Sequence, residues 1–253
     1  MELVLAGGIV AGAALFRGVT GFGFALIAAM GLTTILPPAT AAPLILAMDI
    51  VLTALILRKF RLSDVDWRAG AILLCFGLVG GVAGPLVAAH LSDPMARTVT
   101  NAAVGIAALA ALMKTPPRWI GSVWIGVGVA AGVGVLMAGF AVGGPLAAAW
   151  LLAGGTDVGK VRSTLALYFG AIDAVGLIAR YSYGMVPPSF TDMLLPLLVI
   201  AVIAYFPGEF LYRRMAPLVW RRFCAISLVL IAVGGGVQSI LAFYGADLSS
   251  LVQ

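Results

Sequence analysis

Arg17-Gly-Val-Thr-Gly-Phe-Gly-Phe24 interrupts a long apolar run with three glycines, and Met137-Ala-Gly-Phe-Ala-Val-Gly-Gly-Pro145 does the same in the second half of the chain. Other landmarks recur at nearly the same offset: Gly23 to Gly144, Arg58 to Arg180, Pro85 to Pro207 and Asp49 to Asp173 are displaced by 121, 122, 122 and 124 residues. So constant a displacement points to an internal duplication. In a strongly apolar chain, duplicated halves with broken hydrophobic segments are the pattern of secondary transporters whose substrate site lies between the repeats.

The composition makes lipid the solvent. Of 253 residues, 62% are hydrophobic and only 10% charged, where soluble domains carry about a quarter charged residues. Apolar runs cover most of residues 3 to 245. A single membrane domain is therefore expected over 1–253, with repeat 1 at 1–117 and repeat 2 at 118–253. The net charge of +5 resides mostly in short loops between apolar runs; it is topological charge of the positive-inside kind and not a nucleic-acid surface. Cys75 and Cys224 each lie in an apolar segment, as inert buried thiols or as a disulfide between the halves. With His90 as the single histidine, neither a metal site nor a cofactor is expected. The N-terminus lacks the basic flank and cleavage site of a signal peptide, so residues 3 to 16 are expected to remain in the mature protein.

A spanning helix needs roughly 20 apolar residues. Three segments per half approach this: 38 to 57, 69 to 89 and 98 to 113, then 164 to 180, 193 to 212 and 222 to 244. Residues 3 to 36 and 122 to 153 are too long for one ordinary helix, and glycines break each into shorter legs. A leg such as 3 to 16 would reach only about 20 Å. The loop with Arg58, Lys59, Arg61 and Arg68 and the loop with Arg213, Arg214, Arg221 and Arg222 belong in the cytoplasm. Walking outward from them puts Lys114, Arg118, Lys160 and Arg162 inside as well. Segment 122 to 153 then starts and ends inside, and 3 to 36 starts and ends outside. The expected fold is an all-α polytopic membrane protein, an inverted repeat of two halves. Each half is a broken or re-entrant helical hairpin plus three transmembrane helices, and both chain ends face outward. A competing reading lets each hairpin cross fully as two short helices.

Non-helical backbone at membrane depth is tolerated where it is buried in protein or lines a wet cavity. Glycines let such backbone approach a ligand, and helix N-termini offer free N–H groups with partial positive charge, so the two clusters can form an anion cradle. Second legs starting near Phe24 and Pro145 would supply those N-termini, with Pro suited to a first helical turn. The candidate substrate-binding residues are Arg17, Gly18, Thr20, Gly21, Gly23, Phe24, Gly139, Gly143, Gly144 and Pro145. The bland alternative is that the glycines only allow tight helix packing. Arg17 costs at least about 2.5 kcal/mol at membrane depth unless paired or hydrated, and its planar fork of donors matches carboxylate, sulfonate or sulfite oxygens. Asp49 and Asp173 fall in the middle of equivalent segments; such carboxylates mark proton paths or pair with a buried base. Glu209 has Arg213 at i+4, the spacing of an interfacial ion pair. Arg162 opens the helix after the second hairpin, either as a gate at an inner mouth or as an orientation signal. The small-residue face Gly77, Gly80, Gly81 and Gly84 can pack within one protomer or between two copies of a homodimer.

These residues resemble the sulfite exporter TauE/SafE family, also called the 4-toluene sulfonate uptake permease family, over essentially the whole chain. Arg17-Gly-Val-Thr-Gly-Phe-Gly-Phe-Ala-Leu26 is similar to its first Gly-rich motif, Gly143-Gly-Pro-Leu146 to its second, and Arg162-Ser-Thr-Leu165 to the segment that follows. Phe24 and Ala25 stand where that family often has glycines, and Ala141 replaces a usual glycine. The resemblance implies a bacterial inner-membrane carrier for sulfur oxyanions, organosulfonates or related small organic anions, coupled to the proton gradient. It leaves open uptake or export. A passive anion channel is the alternative that the same cradle would serve. An intramembrane enzyme is disfavoured, because the chain has no HExxH motif, no paired Asp-rich motif and no Ser/His/Asp constellation.

Overall fold

A computed structural model describes residues 2–59, 61–92 and 117–216, with isolated positions between 95 and 106 and at Val219 and Phe223. The expected third segments of each half, 98 to 113 and 222 to 244, lie largely outside the described residues, as does Cys224. Those described form α1 (Glu2–Thr20), α2 (Phe24–Ile35), α3 (Pro38–Leu57), α4 (Trp67–Ala89), α5 (Val123–Phe140), α6 (Gly144–Ala153), α7 (Val158–Ser182) and α8 (Phe190–Arg214). Six of them, all but α2 and α6, are long and apolar enough to cross a membrane. Several of these helices have almost no polar face, as expected where lipid and protein interior are equally apolar.

Burial sorts the helices. The spanning windows of α3 and α7 are 67% and 61% buried, against 33% for α4 and 28% for α8. The inner pair therefore crosses at the centre of the bundle. On one side α1 lies along α8, and on the other α4 lies along α5. Both contacts run through glycine. A Cβ at Gly18 would lie 2.7 Å from the Glu209 nitrogen, and one at Gly84 would lie 2.8 Å from the Gly139 nitrogen. Gly80 faces Ala131 and Val135, and Gly77 meets Gly134 and the Tyr168 ring. The small-residue face of α4 is thus spent inside the protomer, where backbones approach closely.

Two expectations need correction. The first legs of the hairpins are not short: α1 has 19 residues and α5 has 18, about 27 Å of helix each. Only the return legs, α2 and α6, with 12 and 10 residues, are too short to cross. The helix runs through Gly18 because its missing side chain is needed for the approach to α8, and that packing offsets the poor helix propensity of glycine. Cys75 is a free thiol on the outer surface of α4, not a buried one.

Among the described residues, the loops that hold Lys59, Asp66, Thr156 and Arg213 meet at one end of the bundle. Lys59 pairs with Glu209, and Glu209 also lies 3.4 Å from Arg213. The Asp66 carboxylate caps α4 through the Ala69 N–H at 3.2 Å and accepts the Thr156 hydroxyl at 2.9 Å. The Asp66 N–H donates to the Thr164 hydroxyl at 3.0 Å, and the Ser163 hydroxyl donates to the Asp64 carbonyl. Gly121 touches Gly154, so the second hairpin starts and ends together.

Candidate functional site

Arg17 occupies the last turn of α1 and is 1% exposed. Its Nη2 lies 3.2 Å from Asp49 Oδ1 and donates to the Thr53 hydroxyl, both on α3. Position 49 follows α3 into the bundle centre because Gly170 of α7 leaves room for the Thr53 methyl one turn away. Asp173, on α7, is fully buried with its carboxyl beside that of Asp49; the charges of Asp49 and Arg17 both act on it, and that of Arg17 acts on Asp49 as well. The centre of the molecule therefore holds one guanidinium and two carboxyls from three helices. Their hydrogen bonding is incomplete: Arg17 Nε and all four carboxyl oxygens lack an aligned partner, so the Arg17–Asp49 contact is an ion pair without a well-directed hydrogen bond. Buried polar groups left in this state call for a proton, water or ligand.

The first break is built by Gly21 and Gly23, at φ 83° and 87°. Thr20 staples it: its hydroxyl lies within reach of the Phe16 carbonyl, at 2.9 Å, and of that of Phe22, sharing its one proton between them, and receives the Phe22 N–H at 3.3 Å. Helix α2 then starts at Phe24 with no side-chain cap, in a fully buried setting. The side chain of Arg162, from the N-terminal part of α7, lies directly against Gly21. It stacks 4.0 Å above the Tyr212 ring of α8 and is 8% exposed.

At the second break the chain turns at Ala141, φ 58°, and Gly143, φ 149°. Helix α6 starts at Gly144 with Pro145 in its first turn, again with no side-chain cap, and Gly144 faces Phe169. Arg180 of α7 closes the C-terminus of α5: its Nε donates to the Ala138 carbonyl at 3.1 Å and its Nη2 to that of Gly139 at 2.6 Å. A cation on the last carbonyls of a helix is favourably placed against the dipole.

Of the sequence candidates, Arg17, Asp49 and Asp173 come together, Gly21 and Arg162 meet, and Gly18 and Gly139 serve the helix contacts. Among the described residues no hydrogen bond or ion pair joins Arg17 to the second break. The side chains that fill the space beside the break glycines are the protein's own: Phe16 at Gly23, Arg162 at Gly21, Val133 and Met137 at Gly143. A cavity of about 270 Å³ lies elsewhere, near Asp66, Trp150 and Thr156 at the basic end. Sequence reading passed over Thr53, Tyr205 and the role of Arg180. For Arg180 a signal existed, since an arginine inside an apolar segment carries the same insertion cost as Arg17. Thr53 and Tyr205 look like any residue of an apolar helix.

No curated protein and no solved structure matches the chain. The profile of one family, described as sulfite exporter TauE/SafE, matches residues 4–234. An all-helical, multi-pass membrane protein with a buried charged centre and two glycine breaks, matched over most of its length, belongs to the sulfite exporter TauE/SafE family of membrane transporters.

Proposed function

We propose that the protein is a secondary carrier of a small anion, such as sulfite or an organosulfonate, across the bacterial inner membrane, driven by protons and working by alternating access. In this reading residues 1–117 and 118–253 are inverted repeats, both chain ends face the periplasm, and the anion binds between the two breaks. The uncapped amides of α2 and α6 and the Arg17 guanidinium hold it, Arg162 gates one mouth, and Asp49 and Asp173 carry the coupling proton.

The observation that carries the proposal is the under-satisfied trio of Arg17, Asp49 and Asp173, buried where the two central helices cross. A charged cluster at such depth is costly and marks an ion or substrate path in membrane proteins. The repeat reading gains support from packing: α1 against α8 through Gly18 and Gly208 has its counterpart in α5 against α4 through Gly139 and Gly84. These residues are related by the same 121 to 124 residue offset as the landmarks of the sequence.

A thermal-shift screen of the purified protein with sulfite, thiosulfate, organosulfonates and small carboxylates tests the substrate class. At least one sulfur oxyanion is expected to raise the midpoint, and no response to any of them would remove the anion site. In proteoliposomes, Asp49→Asn or Asp173→Asn is expected to abolish proton movement with the substrate. If both single variants and the double keep it, the coupling assignment is wrong.

A further inference from the structure

The first break and the side chain that lies against it carry more donors than acceptors. Helix α2 begins with no side chain bonded to its N-terminus. Its first N–H groups, those of Phe24, Ala25 and Leu26, have no acceptor among the backbone bonds of the described residues, whereas Ile27 reaches the Gly23 carbonyl at 3.2 Å. All three residues are buried, at 0%, 5% and 2% exposure, so bulk water does not serve them. A buried helix start without partners calls for a ligand. The second observation is independent and comes from α7. Arg162 is more than nine-tenths buried, packs its side chain on Gly21, and has an Nε with no hydrogen-bond partner. No ion pair among the described residues includes Arg162. Tyr212 covers one face of the guanidinium. A third donor group lies nearby: the Tyr205 hydroxyl of α8 is buried without a partner, within the field of Arg162, Arg17 and Arg58. The one carboxylate that also acts on it, Glu209, is already held by Lys59 and Arg213.

We infer that Arg162 and the N-terminal amides of α2 form a distinct oxyanion seat at the first break, with the Tyr205 hydroxyl as an added donor, so that Arg162 is a binding residue and not only a gate. This inference rests on the proposed anion transport and assigns the direct cationic contact there to Arg162. The chemistry favours the division. Both arginines have an orphaned Nε, but the charge of Arg17 is already met by Asp49 and its Nη2 by Thr53, whereas Arg162 has no ion-pair partner among the described residues and stands beside a helix start whose partial charge is positive. A sulfite or sulfonate group presents three oxygens, enough to take an arginine N–H and two helix amides at once. Gly21 is required because any side chain there would collide with Arg162, and at φ 83° the backbone itself favours glycine.

Sulfite is the probe. In the wild-type protein it is expected to slow hydrogen exchange at Phe24, Ala25 and Leu26. Arg162→Gln is expected to weaken sulfite binding roughly 10- to 100-fold, the loss of one charge-assisted contact, with Arg162→Lys intermediate and Tyr205→Phe weaker by a few-fold. Wild-type affinity in Arg162→Gln overturns the inference. So does protection confined to the second break around Gly143, which would leave anion transport standing with another seat. Failure of wild-type protein to bind sulfite, thiosulfate or any sulfonate overturns both. Should Arg162→Gln not fold, the exchange map of the wild-type protein decides alone.

Discussion

Ala141 holds a left-handed conformation, φ 58°, at the point where α5 ends, and its N–H closes back on Leu136 and Met137. For an L-residue with a Cβ this costs about 1 kcal/mol, because the side chain crowds the neighbouring carbonyl. Glycine is the ordinary residue there. The alanine at this position is therefore a local strain that the surrounding packing holds in place. Ala141→Gly is expected to raise stability by about 0.5 to 1 kcal/mol, less whatever entropy the glycine adds to the unfolded chain. A thermal midpoint in detergent checks this; a fall would mean that the Ala141 methyl, which is fully buried, contributes more packing than the turn costs. Arg17 and Asp49 show the opposite situation. Both identities and their depth were legible from cost alone, since neither belongs in an apolar helix unpaired. That Thr53 takes part was not, because a threonine in a spanning helix commonly bonds its own backbone and gives no sign of a distant partner.

Helix packing sets the next scale, and there one residue type plays two roles. Gly80 of α4 is buried, and a Cβ would meet the Ala131 carbonyl and the Val135 nitrogen of α5. Gly128 of α5 is exposed, with nothing within 4 Å of the same added atom. The same substitution is therefore expected to act with opposite sign. Gly80→Ala forces the helices apart and should cost roughly 1 to 3 kcal/mol. Gly128→Ala should be neutral or gain up to about 1 kcal/mol from helix propensity. Equal midpoints for both variants would show that the close approach of α4 and α5 does not contribute to stability. This duality also explains what was readable in advance. The breaks after Thr20 and after Phe140 were legible because several glycines cluster there, and the backbone indeed uses positive φ at Gly21, Gly23 and Gly143. The true length of α1 was not, because Gly18 stands next to the break glycines in sequence although it belongs to the helix contact with α8. No local pattern separates those uses; the partner helix decides. The meeting of Gly21 with Arg162 was hidden for the same reason, since it joins residues from opposite halves of the chain.

Across the whole molecule, α7 links the parts that a carrier must coordinate. Arg162 near its start touches the first break, Asp173 lies in the central cluster, and Arg180 near its end holds the C-terminus of α5 beside the second break. A displacement of α7 relative to α1 and α5 would thus act on both breaks and on the carboxyl pair together, while Lys59, Glu209 and Arg213 tie α3 to α8 at the basic end. Such mechanical linkage is what alternating access requires: one mouth opens as the other closes, and the binding site never spans both sides at once. A filter-like pore built from the same cradle would instead be open to both sides when conducting. Counterflow distinguishes them. Proteoliposomes loaded with unlabelled sulfite and diluted into trace labelled sulfite are expected to accumulate label transiently, with an initial uptake rate that rises with the internal load and saturates. Substrate inside accelerates entry only if the loaded site returns faster than the empty one, which a continuous pore has no means to do. Uptake that does not respond to internal sulfite and rises linearly with concentration would replace the carrier by a channel.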